Sequence, residues 1–407
     1  MTQTTTPLIR HRSPRVVMHL TGFAGAALIA LGVAGCNHHD AGSPQRSGQA
    51  VALEAKSFGR YWEADLGLKG SRVNEMHLRD DLVFVYTDDN VSHVLQRSGG
   101  QVAHIDPVRS GGDLRGPVVL KDAIVYPTNT TLAIYDPRGS KRRTLDMSAA
   151  LRSGAVGVND NVYFGIDDPG GGRLVQVDLN RAHEPAAWRL QTRGGVSATP
   201  ALHDDIVYAG SEDGSVYAVN EDRSAVWPLE NGVFRTGGRI VADLKADDYA
   251  VYVASGDSKL YALHRISGKV RWQYFAGRAL TVSPQLSPDF VYQFVPGQGI
   301  VAINKTEGEY NRQPAWTFRD ATQFLASDEQ YAYLAGKDRR IVAIEKKTGK
   351  PAFTSQRKFD HFVSNAKGDG IIYAATNGGQ VVAIKPVLVG GQTGEVVLVF
   401  DNLTPRG

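Results

Sequence analysis

Ile206-Val207-Tyr208-Ala209-Gly210-Ser211-Glu212-Asp213-Gly214-Ser215-Val216-Tyr217-Ala218-Val219-Asn220 is an apolar strand, a turn and a second apolar strand. Valine, isoleucine and tyrosine suit a pleated surface, and Glu212-Asp213-Gly214 between them is turn chemistry. The pattern returns at Ala250-Val251-Tyr252-Val253-Ala254-Ser255-Gly256-Asp257-Ser258-Lys259-Leu260-Tyr261-Ala262-Leu263. One aromatic anchors each copy: Phe84, Tyr126, Tyr163, Tyr208, Tyr252, Tyr292, Tyr333 and Tyr373. Their spacings are 42, 37, 45, 44, 40, 41 and 40 residues. A period near 40 residues with two hairpins per unit predicts β-propeller blades. The expected fold is all-β: an eight-bladed propeller of four-stranded antiparallel blades. An unclosed solenoid or a sandwich array would share the alternation, but the near-constant period favours a closed ring.

Tryptophan placement reads the same way. Trp188, Trp227, Trp272 and Trp316 follow their anchors by 25, 19, 20 and 24 residues, and Phe353 takes that phase after Tyr333. Each is expected in the outermost strand of its blade, where a large ring covers the sheet edge. Trp62 has no anchor before it, and Tyr373 has no tryptophan after it. The strand Arg60-Tyr61-Trp62-Glu63-Ala64-Asp65 is therefore expected to complete the last blade and close the ring. Val396-Val397-Leu398-Val399-Phe400 competes for that place. No tryptophan follows Phe84 or Tyr126 in phase.

The first 35 residues are of another kind. Arg10, Arg12 and Arg15 precede an apolar stretch from Val16 to Gly35 with no acid, ending Val33-Ala34-Gly35-Cys36. This is a secretory signal, and its end resembles a bacterial lipobox. The resemblance implies cleavage before Cys36, the only cysteine, and acyl chains, palmitate among them, on the new terminus. A transmembrane anchor or a buried thiol is the alternative. Asn37, not Asp, follows Cys36, which by the sorting of such signals implies the outer membrane, periplasmic face. Residues 36–55 read as a flexible tether, and residues 56–407 as the propeller. His38-His39 in the tether lack further ligands for a metal.

Removing the signal leaves 42 Lys+Arg against 42 Asp+Glu, so there is no basic excess for nucleic-acid binding. A single cysteine excludes an internal disulfide. None of the 11 histidines falls in a motif with Ser, Cys or paired acids. Asp88-Asp89, Asp167-Asp168, Asp204-Asp205 and Asp247-Asp248 stand at strand or turn junctions, where aspartate favours turns. Gly170-Gly171-Gly172 lacks the following helix that a phosphate cradle needs. No catalytic residue, cofactor or metal is assigned, and no enzyme is expected.

The repeat around Tyr208, with Ser267-Gly268-Lys269-Val270-Arg271-Trp272 and Thr348-Gly349-Lys350, resembles that of pyrroloquinoline-quinone-like (PQQ-like) propellers over residues 56–386. Quinoprotein dehydrogenases share this repeat, but their active site carries an adjacent-cysteine disulfide that this chain cannot form. The sum of lipobox, tether, eight blades and length resembles the BamB family, lipoproteins of the outer-membrane β-barrel assembly machinery. That resemblance implies a non-enzymatic periplasmic scaffold whose partners are outer-membrane assembly proteins, with the membrane reached through the lipid. A PQQ-like lipoprotein binding another envelope partner or a polysaccharide is the alternative. A family loop of the form Leu-x-Leu-Arg-Gly helps bind the insertase. Leu190-Gln191-Thr192-Arg193-Gly194 matches it at Leu190, Arg193 and Gly194, with Thr192 in place of the second leucine. The family's acidic pair in the next comparable loop is replaced by Arg239-Ile240-Val241.

Overall fold

The computed structural model describes residues 53–108, 112–168, 170–181, 186–228, 232–390 and 396–397. Cys36, the signal and most of the tether lie outside them. The compact unit runs Glu54–Gly407 and is a propeller of eight antiparallel sheets. Blades 1 to 7 occupy residues 73–107, 118–146, 151–192, 201–235, 245–275, 285–318 and 321–354, each of four strands in sequence order. Blade 8 takes its first three strands from residues 361–390 and its fourth from Leu53–Asp65. The N-terminal strand thus closes the ring. Val396–Val397 does not compete for that place; it pairs with Leu388–Val389 at the far end of the preceding strand. Among the described residues no helix is long and apolar enough to cross a membrane.

Strand position explains the burial pattern. Second strands lie between neighbouring blades and read as continuous apolar runs; every residue of Ile206–Gly210 and Tyr331–Gly336 is buried. Fourth strands face solvent on one side, so Val270–Phe275 alternates. All eight anchoring aromatics are below 2% exposed.

The tryptophans form a repeated inter-blade latch. Each ring packs against its own blade's anchor, at centroid distances of 5.9 Å for Trp62–Tyr373, 5.9 Å for Trp188–Tyr163, 6.1 Å for Trp272–Tyr252 and 5.8 Å for Trp316–Tyr292. Each indole N–H then donates to a backbone carbonyl of the next blade. The acceptors are Arg97 (2.8 Å), Glu221 (2.6 Å), Arg265 (2.6 Å), Lys305 (2.8 Å) and Lys346 (3.0 Å) for Trp62, Trp188, Trp227, Trp272 and Trp316.

Most of these acceptor residues also reach back with their side chains to a first-turn aspartate of the preceding blade. The pairs are Arg97–Asp369 at 3.2 Å, Arg265–Asp204 at 2.5 Å, Lys305–Asp247 at 2.6 Å and Lys346–Asp289 at 2.6 Å. Between blades 3 and 4 the polarity inverts, and Glu221 accepts from Asn161. Gly100 and Gly349 lie beneath Trp62 and Trp316 at φ of 69° and 71°; a Cβ at Gly100 would stand 2.4 Å from the Trp62 ring, and one at Gly349 2.8 Å from the Trp316 ring.

Two departures from the expected pattern have physical causes. Trp227 is not in its blade's outer strand, Val233–Arg235; it lies in the preceding segment, held by a bridge between Val219 and Ala225. Its ring still reaches Tyr208, 6.1 Å away. In blade 1 the register Phe84–Val94–His104 places His104 where Tyr252–Ala262–Trp272 places a tryptophan. His104 turns to buried Asp106 at 2.9 Å, and the Tyr126 hydroxyl of blade 2 donates to the same carboxylate at 2.5 Å. A polar network replaces the indole latch at that junction.

Candidate docking face

Connections between blades and the turns between second and third strands share one rim of the ring. The connection 193–200 crosses the turn Ser211–Gly214 of blade 4. Thr192 Oγ1 (2.7 Å) and Ser211 Oγ (3.0 Å) donate to the Gly194 carbonyl, and the Glu212 amide donates to the Gly195 carbonyl at 2.8 Å. A Cβ at Gly194 would stand 2.6 Å from the Asp213 nitrogen, so only glycine permits the crossing. One blade on, Thr236 Oγ1 donates to the Gly238 carbonyl at 2.7 Å, the Gly256 amide to that of Arg239 at 2.8 Å, and a Cβ at Gly238 would meet the Asp257 nitrogen at 2.3 Å. Both loops are clamped through their backbones, leaving their arginine side chains on the surface.

The structure separates the three residues matched to the insertase-binding loop. Leu190 is half-buried in the outer strand of blade 3, beside Tyr163, Leu174 and Val207. Gly194 is the crossing point. Arg193 alone is exposed, and its guanidinium has no ion-pair partner among the described residues. Around it stand Arg152, Arg235 and Arg239, with Glu212 and Asp213 between them. Arg239 pairs with Glu212, Arg152 approaches Glu212 at 3.7 Å, and Arg235 lies 3.7 Å from Asp213. Farther along the rim Phe275 is 68% and Val282 41% exposed. Sequence reading singled out Arg193 as the contact and met Arg239 only as a departure from the family's acidic pair; Arg152 and Arg235 went unnoticed. The signal was present in the near-repeat of Thr192-Arg193-Gly194-Gly195 by Thr236-Gly237-Gly238-Arg239.

Burial opposes ionisation of Glu212, but the Ser197 hydroxyl and the guanidinium groups of Arg239 and Arg152 more than offset it, and its pKa is lowered. A lowered carboxylate pKa contributes stability above the unfolded value, near 4.5, that is lost as pH falls through the folded value. Glu212→Gln should therefore be less stable than wild type at pH 7. The difference should shrink as pH drops below about 4.5, as read by thermal unfolding across pH. A pH-independent difference would contradict the assignment.

The aspartate pairs serve turns. Asp88 accepts from the Arg72 amide at 3.0 Å, and Asp247 accepts from the Tyr249 and Ala250 amides at 2.9 and 3.0 Å. The side chains of Asp167 and Asp168 lie outside the described residues. His203, Asp204 and Asp248 approach one another within 4.8 Å. His203 already bonds Asp248 at 2.9 Å and Asp204 bonds Arg265, so the cluster is internally satisfied.

Fold and repeat together define an eight-bladed β-propeller whose repeat is similar to that of PQQ-like propellers. Over part of its length the sequence is BamB-like: the family model described as outer membrane protein assembly factor BamB matches residues 128–287. The outer membrane protein assembly factor BamB of Nitrosomonas eutropha is 31% identical over 155 residues, 37% of this chain and 36% of that protein. That of Yersinia pestis is 23% identical over 250 residues, 56% of this chain and 62% of that protein. The matched stretches thus span less than two thirds of either relative. The crystal structure of BamB from Moraxella catarrhalis shares the fold at TM-score 0.59 and 18% identity, covering 82% of this chain and 98% of that one. The quinohemoprotein alcohol dehydrogenase of Comamonas testosteroni shares it at TM-score 0.58 and 12% identity, covering 81% and 76%. The ring therefore serves enzymes as well as assembly factors.

Proposed function

We propose that this chain is a non-enzymatic scaffold of outer-membrane β-barrel assembly, of the BamB type. It is anchored by acyl chains on Cys36 to the periplasmic face of the outer membrane. The arginine-bearing rim of blades 3 to 5 docks a component of the assembly machinery. The observation that carries this reading is the stretch 128–287, where the BamB likeness is concentrated and which holds the whole arginine rim. Arg193 is the contact residue: an exposed guanidinium on a clamped loop offers donors to a carboxylate or carbonyl at little entropic cost. Leu190 and Gly194 act beneath it, one by packing and one by permitting the crossing.

The test is affinity capture of the lipidated protein from membranes solubilised in mild detergent, with captured proteins identified by mass spectrometry. The barrel insertase should be recovered. A charge-assisted hydrogen bond contributes about 1.5–3 kcal/mol, so recovery should fall about tenfold or more in Arg193→Glu. Capture of other envelope proteins, with no insertase, would replace this reading by a PQQ-like lipoprotein of different partnership.

A further inference from the structure

The central channel holds a feature that rim docking does not use. A cavity of about 910 Å³ is lined by the innermost strands of all eight blades and the connections that lead into them. Small-molecule sites span roughly 300–1,000 Å³. Besides Arg115, whose guanidinium is held by Asn129 and the Leu151 carbonyl, two cations line it from opposite sides of the ring, Arg79 from blade 1 and Lys245 from blade 5. Backbone carbonyls orient the Arg79 guanidinium: Nε donates to Pro117 at 3.1 Å and Nη1 to Leu78 at 3.0 Å. Its Nη2 has no hydrogen-bond acceptor among the described residues, and neither has the Lys245 ammonium.

Among the described residues neither cation forms an ion pair with a carboxylate. Asp243 attracts both cations, but one of its oxygens is taken by the Thr199 amide at 2.8 Å. Glu75 is turned to His77 at 3.4 Å. Asp80 and Glu75 also attract Arg79, whereas Asp243 alone attracts Lys245. Burial lowers the pKa of Arg79 and of Lys245, and the charge of Arg79 lowers that of Lys245 further. Both groups are desolvated more than their surroundings repay, the condition an arriving anion relieves.

We propose that the central channel is a binding site for a compact oxyanion, a carboxylate or a phosphate, held between Arg79 and Lys245. The site stands whether or not the arginine rim docks an assembly protein. Thr199, Gln285 and Gln323 on the channel wall supply neutral polar groups around the bound anion.

The experiment is calorimetric titration of the full chain in mild detergent at low salt, with inorganic phosphate in one arm and acetate in the other. Saturable one-to-one binding of at least one anion is expected, and the tighter one identifies the ligand class. Affinity should fall at least about tenfold in Lys245→Gln and in Arg79→Gln, and survive in Lys245→Arg. If Arg79→Gln fails to fold, Lys245→Gln against Lys245→Arg carries the test alone. Absence of saturable binding by both anions overturns the proposal, as does affinity that is unchanged in Lys245→Gln.

Discussion

Trp62→Ala should destabilise the propeller by about 3–5 kcal/mol, the range for removing a buried large aromatic. Trp62 is 7% exposed, lies against Tyr373 at 5.9 Å and donates to the Arg97 carbonyl at 2.8 Å. Truncation leaves a cavity above Gly100 and an unpaired buried carbonyl, for which the desolvation cost adds about 1–3 kcal/mol unless water enters. The effect differs in kind from that of Trp272→Ala, which removes a comparable latch between blades 5 and 6. Trp62 joins the N-terminal strand to a blade whose other strands are about 300 residues away. Loss of the latch should therefore expose the strand Leu53–Asp65 to protease before the rest unfolds. Denaturant unfolding gives the first quantity, and limited proteolysis with mapping of the earliest cut gives the second. Equal proteolytic patterns for the two variants would show that closure does not depend on this ring.

Arg97→Met should cost a similar amount, about 3–5 kcal/mol, because it leaves buried partners of a charge unpaired. Arg97 is 7% exposed and works at the same closing junction. Its Nε donates to the Tyr373 hydroxyl at 2.9 Å, and its Nη2 to Asn365 at 2.8 Å and Asp369 at 3.2 Å. Its Nη1 reaches the Asp80 carbonyl at 3.3 Å, and the guanidinium lies 5.3 Å from the Tyr373 ring centre. Arg97→Lys should recover only part of the loss, since one ammonium cannot reproduce this planar fork. Lys337→Ala is the control: its pair with Asp320 is 3.6 Å long and solvent-exposed, worth under about 1 kcal/mol. Equal losses in Arg97→Met and Lys337→Ala, compared by denaturant midpoint, would refute the closing role.

Much of the architecture was legible along the chain because a propeller repeats a local unit. Tyr208, Tyr252, Tyr292, Tyr333 and Tyr373 recur because each occupies the same place in a second strand buried on both faces. Trp272 and Trp316 lie 20 and 24 residues after their anchors because each stands in the fourth strand opposite the residue that pairs with the anchor, Ala262 and Ala302, across turns of different length. Trp227 keeps a similar spacing, 19 residues after Tyr208, but its blade's fourth strand begins only at Val233, so the tryptophan falls ahead of it. His104 escaped notice because its side chain gives no hint of a tryptophan position until the Phe84–Val94–His104 register is known. At the candidate rim, Arg193 was visible as part of a short motif. Leu190 matched the same motif, yet strand register turns it toward the core of blade 3.

The sequence by itself determined the class of fold and the number of blades, and favoured the Trp62 strand over the segment from Val396 as the one that closes the ring. Those follow from hydrophobic periodicity, turn chemistry and one unpaired tryptophan, all properties of neighbouring residues. Only the tertiary structure decided which residues meet between blades: Arg265 with Asp204, Lys305 with Asp247, Arg97 with Asp369. It also decided that Arg152, Arg193 and Arg239 share a rim and that Arg79 and Lys245 share the channel. A repeat prescribes where each strand lies within its blade. The meeting of side chains from different blades depends on ring curvature and blade stagger, which arise only when all eight sheets pack against one another.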